Sequence, residues 1–204
     1  ADTLRRGFTG LADQMGRMLL QTAEAAAMKK ELEVAGAVQQ MLMPTEDTLV
    51  HGQLEVAGSF RPASDCGGDW WTVRPLDDGR LLVVIGDVTG HGIPSAIVTG
   101  VAKGACDVAL AATTDLRARG LLELMNRAIF GGGRHRMLMT CQVGMFDPDL
   151  RRLEVANGGH PFAFHVRNGQ VSRIIASGSP LGASIPGLFP PIAVGLQPRD
   201  LVVW

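Results

Sequence analysis

Apolar residues recur every seven positions along the first part of the chain. One row contains Leu4, Leu11, Met18, Ala25 and Leu32, and a second row, four residues later, contains Phe8, Met15 and the weaker Thr22. No proline occurs before Pro44, so the pattern predicts one long helix over residues 1–43. The heptad spacing favours a dimeric coiled coil. The alternative is a helix that packs on its own domain.

Short apolar segments separated by turn residues follow this helix. Strands are predicted at residues 54–57, 70–74, 80–86, 139–146, 153–156, 162–166 and 171–175, and helices at 94–112 and 115–130. The segment 81–85 is apolar at every position, which is typical of a strand covered on both faces. Because strands, two helices and further strands follow one another in blocks, the order predicts an α+β layered sandwich over residues 44–204.

Two aspartates frame a predicted hairpin. Asp77, Asp78 and Gly79 form its turn, Asp69 precedes its first strand and Asp87 follows its second. Asp69 and Asp87 are equally far from Asp78 in the sequence, so antiparallel pairing would place them opposite each other, with Cα atoms about 5 Å apart. Like charges in this position are destabilising, and a hard divalent cation would offset them. The alternative is a pair of solvated loop aspartates.

Glycines surround both aspartates. Gly67 and Gly68 precede Asp69, and residues 86–92 have the sequence Gly-Asp-Val-Thr-Gly-His-Gly. Backbone with so few side chains allows phosphate, water or a metal ion to approach closely. It would also leave the carbonyl next to Asp87 accessible as a ligand.

An ordered set of motifs extends this local picture over residues 31–204. The motifs are the helix end 31–44, Arg61-Pro62-Ala63 leading to Gly67-Gly68-Asp69-Trp70, the segment 86–92, Asn157-Gly158-Gly159-His160-Pro161, and Ser179-Pro180-Leu181-Gly182. The set resembles the bacterial PPM-type (protein phosphatase 2C-like) serine/threonine phosphatases of the stage II sporulation protein E type, which regulate sigma factors.

The resemblance implies a fold, a reaction and a metal site. The fold is an αββα sandwich, in which two antiparallel sheets are covered by helices. The reaction is hydrolysis of phosphoserine or phosphothreonine on a regulatory protein, by default a phosphorylated anti-anti-sigma factor, without a covalent enzyme intermediate. Asp69, Asp87 and the backbone carbonyl of Val88 would bind two Mn²⁺ or Mg²⁺ ions.

Other residues near the motifs have weaker assignments. Four residues are expected either to shape the loop or to contact the metal ligands without binding the metal: Asp65, Gly68, Gly90 and His91. Arg61 is a candidate for contact with the phosphate, and the alternative is an arginine on the surface with no such role. We interpret His160 as structural, within its Gly-Gly-His-Pro loop.

The family pattern contains further aspartates, including one in a Tyr-Thr-Asp-Gly motif after the strand that begins near Leu201. The chain ends at Trp204. We therefore expect weak or incomplete metal binding by this chain, and little or no phosphatase activity.

Parts of the sequence resemble two other functional classes. A dinucleotide-binding loop would use Gly90 and Gly92, but its third glycine position is Ser95, so the fingerprint fails. Residues 8–19 resemble the last helix of a HAMP linker. That resemblance implies a homodimer formed through the N-terminal helix, with the chain as the cytoplasmic output domain of a protein anchored in the inner membrane by an upstream sensor region. For this chain alone, the alternative is a catalytically silent dimerising module.

Charge and cysteine content narrow the choice of partners. The net charge is -1, so no overall field favours nucleic acid or an anionic membrane surface. Cys66, Cys106 and Cys141 are widely spaced and form no CxxC motif, which favours a reducing compartment such as the cytoplasm. The longest apolar segments, such as 81–85, are too short to span a bilayer, and no direct membrane contact is predicted.

Overall fold

The computed structural model describes residues 2–61, 66–132, 137–149 and 151–204, without the side chains of residues 2–9 and 11–13. The helices are α1 (Asp2–Gln40), α2 (Ile93–Ala112) and α3 (Ala118–Gly132). The strands are β1 (Thr48–His51), β2 (Leu54–Ala57), β3 (Trp70–Pro75), β4 (Leu81–Val88), β5 (Met139–Asp147), β6 (Arg152–Gly158), β7 (Ala163–Arg167), β8 (Gln170–Ile174), β9 (Ile192–Gly195) and β10 (Leu201–Val203).

The strands form a layered sandwich. A five-stranded antiparallel sheet has the order β3-β4-β5-β6-β9, a three-stranded sheet has the order β10-β7-β8, and β1 and β2 form a separate hairpin. Helices α2 and α3 cover one face of the large sheet, and the two smaller sheets cover the other. The predicted α+β sandwich of antiparallel sheets and helices is confirmed. In the described residues, the outer face of the three-stranded sheet is open, with Phe164 40% and Val171 65% exposed.

Strand β4 is the centre of both cores. Leu82 and Val84 pack with the helices, whereas Leu81 and Val83 pack between the sheets. Alternate residues of a strand point to opposite faces, so the apolar segment 81–85 fills both layers, as its sequence predicts. Asp87 lies near the end of this strand, where its side chain is exposed.

Helix α2 is a core helix. By length and composition α2 could cross a membrane. This is not predicted from the continuous apolar segments of the sequence, which are too short to span a bilayer. It packs against α3 and β4, and its inward face carries the buried polar residues Ser95 and Thr99. Ser95 donates to the Gly92 carbonyl within its own turn, whereas the single hydroxyl proton of Thr99 is shared between the Ser95 carbonyl and the Gly68 carbonyl, each at 3.1 Å.

Helix α1 extends away from the domain over most of its described length. Residues 14–31 are exposed, and burial begins only at the end, with Gly36 and Gln39. The alternative of a helix packed on its own domain therefore applies only to this end. The heptad positions Leu4, Phe8 and Leu11, and much of the HAMP-like segment, lie outside the described side chains.

Some boundaries differ from the prediction. Helix α3 begins at Ala118 because residues 113–117 form a turn in which the Asp115 amide donates to Thr113 Oγ1. Strands β1 and β9 were not predicted. Each has four residues with only partial burial, so the alternation of apolar and polar residues is too short to predict a strand. β1 forms by pairing with β2, and β9 forms by pairing with β6.

One buried carboxylate ties β7 to the turn before β10. Asp200 accepts two hydrogen bonds from Arg167, at 3.0 and 2.7 Å, and one from the Gln197 amide at 2.7 Å. His165 Nε2 lies 3.0 Å from the same carboxylate. Hydrogen bonds from these groups, of which those from Arg167 have the largest effect, hold the pKa of Asp200 far below its usual range.

We expect Asp200→Asn to lower the melting temperature at pH 7 by on the order of 5 °C, because the charge-assisted hydrogen bonds weaken. A depressed carboxyl pKa stabilises the fold above the pKa of the unfolded chain, about 3.9, and the benefit is lost as the pH falls towards the folded pKa. The difference in melting temperature between the two proteins should therefore stay constant from pH 7 to about pH 4 and shrink as the pH falls below that. A constant difference at all pH values would contradict this account.

Candidate metal centre

The β3–β4 hairpin places Asp69 and Asp87 opposite each other at its open end. The register runs from Pro75↔Leu81 to Trp70↔Gly86, so the next pair outward is Asp69 and Asp87. The hairpin register predicted from the sequence is confirmed. Asp87 lies within β4 rather than after it, because β4 continues to pair with β5 through Asp87↔Thr140 and Val88↔Met139.

The two carboxyl groups are close enough to influence each other's charge. Burial, then the neighbouring charge of Asp69 and a side-chain hydrogen bond with it, raise the pKa of Asp87. Two carboxylates placed this close repel each other, and a proton or a cation between them relieves the repulsion. This end of the hairpin therefore has the electrostatic character of a cation site.

Gly68 brings the ligand atoms together. A Cβ atom at this position would lie 2.3 Å from the Val88 carbonyl oxygen and 2.9 Å from Asp87 Oδ1. Only a glycine permits this approach. Two carboxylates and a carbonyl are the hard oxygen donors that Mg²⁺ and Mn²⁺ favour, so the donors present fit the metal that the sequence predicts.

The loop that follows Asp87 is shaped by glycine and anchored to β5. Gly90 and Gly92 have φ values of 91° and 78°, in the region that glycine adopts without strain. The Thr89 amide donates to the Leu138 carbonyl at 2.8 Å, and the Leu138 amide donates to Thr89 Oγ1 at 3.0 Å. His91 is exposed at the tip of this loop.

A polar cluster from β5 and β6 supports the same end of the sheet. Thr140 Oγ1 lies 2.9 Å from His160 Nδ1 and donates to the Asp87 carbonyl at 3.4 Å. Asn157 accepts from the His160 amide and donates to the His160 carbonyl. The Asn157 and His160 motif residues therefore lie beside the carboxylate pair, and the asparagine fixes the histidine backbone.

Other predicted residues are less closely involved. Arg61 is exposed and forms no ion pair with a described residue. Asp65 lies outside the described residues. Among the described side chains, no group of three or more His, Cys, Asp or Glu residues could hold a metal ion, so Asp69 and Asp87 are the two carboxylates available at this end of the sheet.

Sequence reasoning did not identify Thr99 or Thr140 as part of the site. Thr99 is fully buried and donates to the Gly68 carbonyl at 3.1 Å. Its position on the apolar face of a predicted helix could have indicated a role, because a buried hydroxyl group needs a hydrogen-bond partner. Thr140 has no such signal, since threonine is common in strands.

The lowered pKa of His160 gives a testable prediction. Burial lowers the pKa of His160, and the charge of Asp69 opposes this effect. We expect NMR titration to give a pKa below the ordinary value of about 6.5, and Asp69→Asn to lower it further because the opposing charge is removed. A rise in the pKa of His160 on this substitution would show that Asp69 does not act on the imidazole.

A second concave region lies at the other end of the hairpin. It has a volume of about 360 Å³ and is lined by residues that include Arg74, Asp78, Asp107 and Leu116. Several charges in or beside it are paired: Arg74 with Asp107, Lys103 with Asp107, and Arg80 with Asp78. Unlike the open end of the hairpin, this region does not place two carboxylates opposite each other in the β3–β4 register.

Comparison with known proteins identifies the family of the chain. The family described as Stage II sporulation protein E (SpoIIE) matches residues 77–204. The chain belongs to this family. The matched region includes Asp87, the glycine loop and the Asn157–His160 cluster of the SpoIIE-type domain.

Individual relatives are distant. Phosphoserine phosphatase RsbU of Bacillus subtilis (strain 168) is 26% identical over 182 residues, which cover 86% of this chain and 52% of RsbU. The chain thus spans about half the length of this curated relative. The structure of the RsbU and RsbW domains of Rv1364c from Mycobacterium tuberculosis has 28% identity and a TM-score of 0.59, covering 71% of this chain and 39% of that one. The SiaA-PP2C domain of Pseudomonas aeruginosa has 23% identity and a TM-score of 0.70, and the match covers 87% of this chain and 72% of that domain. At this identity, the similarity shows that the two chains share a fold.

Proposed function

We propose that this SpoIIE-type domain belongs to a metal-dependent phosphatase that removes phosphate from serine or threonine of a regulatory protein. The observation that carries the proposal is the opposed pair Asp69 and Asp87, gathered with the Val88 carbonyl around Gly68. Family membership supports the reaction class. RsbU, a relative of this chain, is named a phosphoserine phosphatase.

The residues of the site have two roles: some would bind a cation, and others leave space for the substrate. Asp69, Asp87 and the Val88 carbonyl would hold Mn²⁺ or Mg²⁺, which when bound offsets negative charge on phosphoryl oxygens. Both carboxylates are exposed to solvent, so a phosphorylated side chain of another protein can reach them. The glycine loop at Gly90 and Gly92 leaves room for this approach.

The proposed substrate is a phosphorylated anti-anti-sigma factor. Its support is the resemblance to sigma-factor regulators and the pairing of RsbU and RsbW domains in the Mycobacterium tuberculosis chain. This chain would be the cytoplasmic output domain of a longer signalling protein, which is anchored in the inner membrane through an upstream sensor region. Membrane anchoring and the HAMP-like linker remain predictions from the sequence.

The reaction can be tested by phosphate release. A serine-phosphorylated anti-anti-sigma protein is incubated with the chain, with Mn²⁺ or with EDTA. Because the described residues supply only two carboxylates, we expect slow release that requires Mn²⁺ and that Asp69→Asn abolishes. Release that continues unchanged in EDTA, or in the Asp69→Asn variant, would contradict the proposed reaction.

Dimerisation through α1 is the second proposed property. Met15, Met18 and Leu19 are 56%, 59% and 68% exposed, and Met15 and Met18 belong to the predicted heptad rows. An exposed apolar helix of this length is stabilised by a second copy rather than by its own domain. Sedimentation of the chain with and without residues 1–30 tests this: we expect a dimer that becomes a monomer on deletion. A monomer in both cases would exclude the coiled coil.

A further inference from the structure

Gln142 is a fully buried glutamine near the middle of the large sheet. It lies on β5 and is 0% exposed. Its side chain faces the layer between the two sheets, because Phe146, four residues later on the same strand, packs in that layer. Neither the amide oxygen nor the amide nitrogen of Gln142 has a hydrogen-bond partner among the described residues. Since burial of an amide without partners is costly, this position needs a physical explanation.

Gln142 lies one row behind the candidate metal ligands. Thr140 of β5 pairs with Asp87. Gln142 follows two residues later on the same face of the sheet and pairs with Asn157 of β6. The Asn157 side chain bonds to the backbone of His160 rather than to the amide of Gln142. The core directly behind the two aspartates therefore contains a polar group whose hydrogen bonds are unmade.

The indole ring of Trp204 lies beside Gln142 in the same layer. A Cβ atom at Gly144 would lie 2.8 Å from Trp204 Cζ2, so the ring covers the next residue of β5 on this face. The ring also meets Phe146 edge-on, with ring centroids 6.0 Å apart. Trp204 Nε1 is buried and, like the amide of Gln142, has no hydrogen-bond partner in the part of the chain that the structure describes. Two unpartnered polar groups thus occupy adjacent positions over one strand.

These groups cannot satisfy one another. Gln142 has two N–H groups and one acceptor oxygen, whereas an indole has one N–H group and no acceptor. Trp71 Nε1, which belongs to the same cross-strand row as Gln142, is a further buried N–H group without a described partner. Even if Trp204 donated to the oxygen of Gln142, both amide N–H groups of Gln142 would still need an acceptor. The layer therefore lacks an oxygen atom that accepts hydrogen bonds.

Water is the acceptor that fits this layer. An anion would also accept hydrogen bonds, but a buried charge needs a partner of opposite sign, and the guanidinium of Arg167 is already paired with Asp200. A water molecule is neutral, and a buried one typically makes about three hydrogen bonds to polar groups that otherwise have none. The excess of N–H groups at Gln142 and Trp204 matches this requirement.

We propose that the layer between the sheets contains an internal water-binding site, in which Gln142 and Trp204 hold at least one ordered water molecule behind the two aspartates. The water accepts from the amide of Gln142 and from the indole of Trp204, so that both groups are satisfied inside the core. The site is built from core residues and needs no metal ion. Its existence can therefore be tested separately from the proposed function.

Nuclear magnetic resonance of the metal-free wild-type chain detects such a water molecule directly. Rotating-frame Overhauser spectra distinguish a long-lived neighbouring water from proton exchange with the solvent. We expect cross-peaks from water to the amide protons of Gln142 and to the indole proton of Trp204. Trp70 is the internal control, because its buried indole donates to the Leu42 carbonyl at 3.3 Å and should show no cross-peak. Absence of the cross-peak at Gln142 or Trp204, or an equal one at Trp70, would overturn the proposal.

Gln142→Met is the second arm, because it keeps the approximate size of the side chain and removes the amide. If the amide is hydrated, this change removes partners of the water, so we expect the melting temperature to fall by about 2–4 °C and the water cross-peak of Trp204 to disappear. If the amide is dry, an apolar replacement removes the cost of its burial and raises the melting temperature.

Gln170→Met is the matched control, since Gln170 is exposed on β8 and should leave both measurements unchanged. An unchanged or higher melting temperature in Gln142→Met, or a Trp204 cross-peak that persists in it, would overturn the proposal. If Gln142→Met does not fold, the cross-peaks of the wild-type chain decide the question.

Discussion

Asp87→Asn is expected to make the metal-free chain more stable and to abolish its response to Mn²⁺. Removing one of two opposed like charges is worth about 0.2–1 kcal/mol, so the melting temperature at pH 7 should rise by about 2 °C. Because the pKa of Asp87 is raised in the fold, its charge destabilises the chain above the ordinary aspartate pKa of about 3.9. The gain should therefore vanish below that pH.

In the presence of Mn²⁺, the order of stability is expected to reverse, with the wild type more stable than Asp87→Asn. If two carboxylates and a carbonyl give a dissociation constant of about 10⁻⁴ M, 10 mM Mn²⁺ stabilises the wild type by about 2.7 kcal/mol, or about 5–10 °C. Asp87→Asn should show no such shift. Asp77→Asn is the matched control, since Asp77 is exposed at the other end of the same hairpin and should respond to Mn²⁺ as the wild type does. A lower metal-free melting temperature in Asp87→Asn would mean that the two aspartates do not repel each other.

Gly68→Ala is expected to damage both the fold and the metal site. Its Cβ would lie 2.3 Å from the Val88 carbonyl oxygen and 2.8 Å from the Val88 nitrogen. These are backbone atoms of a central strand, which cannot move aside cheaply. We expect a loss of about 1–3 kcal/mol in the free energy of unfolding and at least a tenfold loss in Mn²⁺ affinity, measured by chemical denaturation and calorimetry.

Gly67→Ala is the control for Gly68→Ala. A Cβ at Gly67 would have no heavy atom within 4 Å, and alanine retains the N–H that bonds to Gln39. We expect its stability to change by less than about 1 kcal/mol, with Mn²⁺ binding unchanged. Equal losses in both variants would indicate that the loop needs glycine for backbone freedom rather than for close approach at Gly68.

The carboxylate pair could be predicted from the sequence because hairpin geometry is local. Asp78 and Gly79 fix the turn, and the period of a strand then determines which residues face each other. The apolar segment 81–85 identifies the strand that is covered on both faces. Most of the fold follows from signals of this kind, which lie within about 20 residues of the feature they predict.

The supporting residues could not be predicted because their partners are distant in the sequence. Thr140 and His160 reach Asp87 only after β4 and β5 pair. Gln39 meets Gly67 across 28 positions, and within its helix it differs little from Gln40. Such contacts depend on how the layers pack, which no local pattern specifies.

Direct Mn²⁺ binding tests the central claim most simply. Electron paramagnetic resonance reports free Mn²⁺, so a titration of the chain can be compared with one of the Asp69→Asn/Asp87→Asn double variant. The account predicts that the wild type removes Mn²⁺ from solution with a dissociation constant of about 10⁻⁴–10⁻³ M, and that the double variant does not. Equal depletion by both proteins would show that the opposed aspartates are not the metal site.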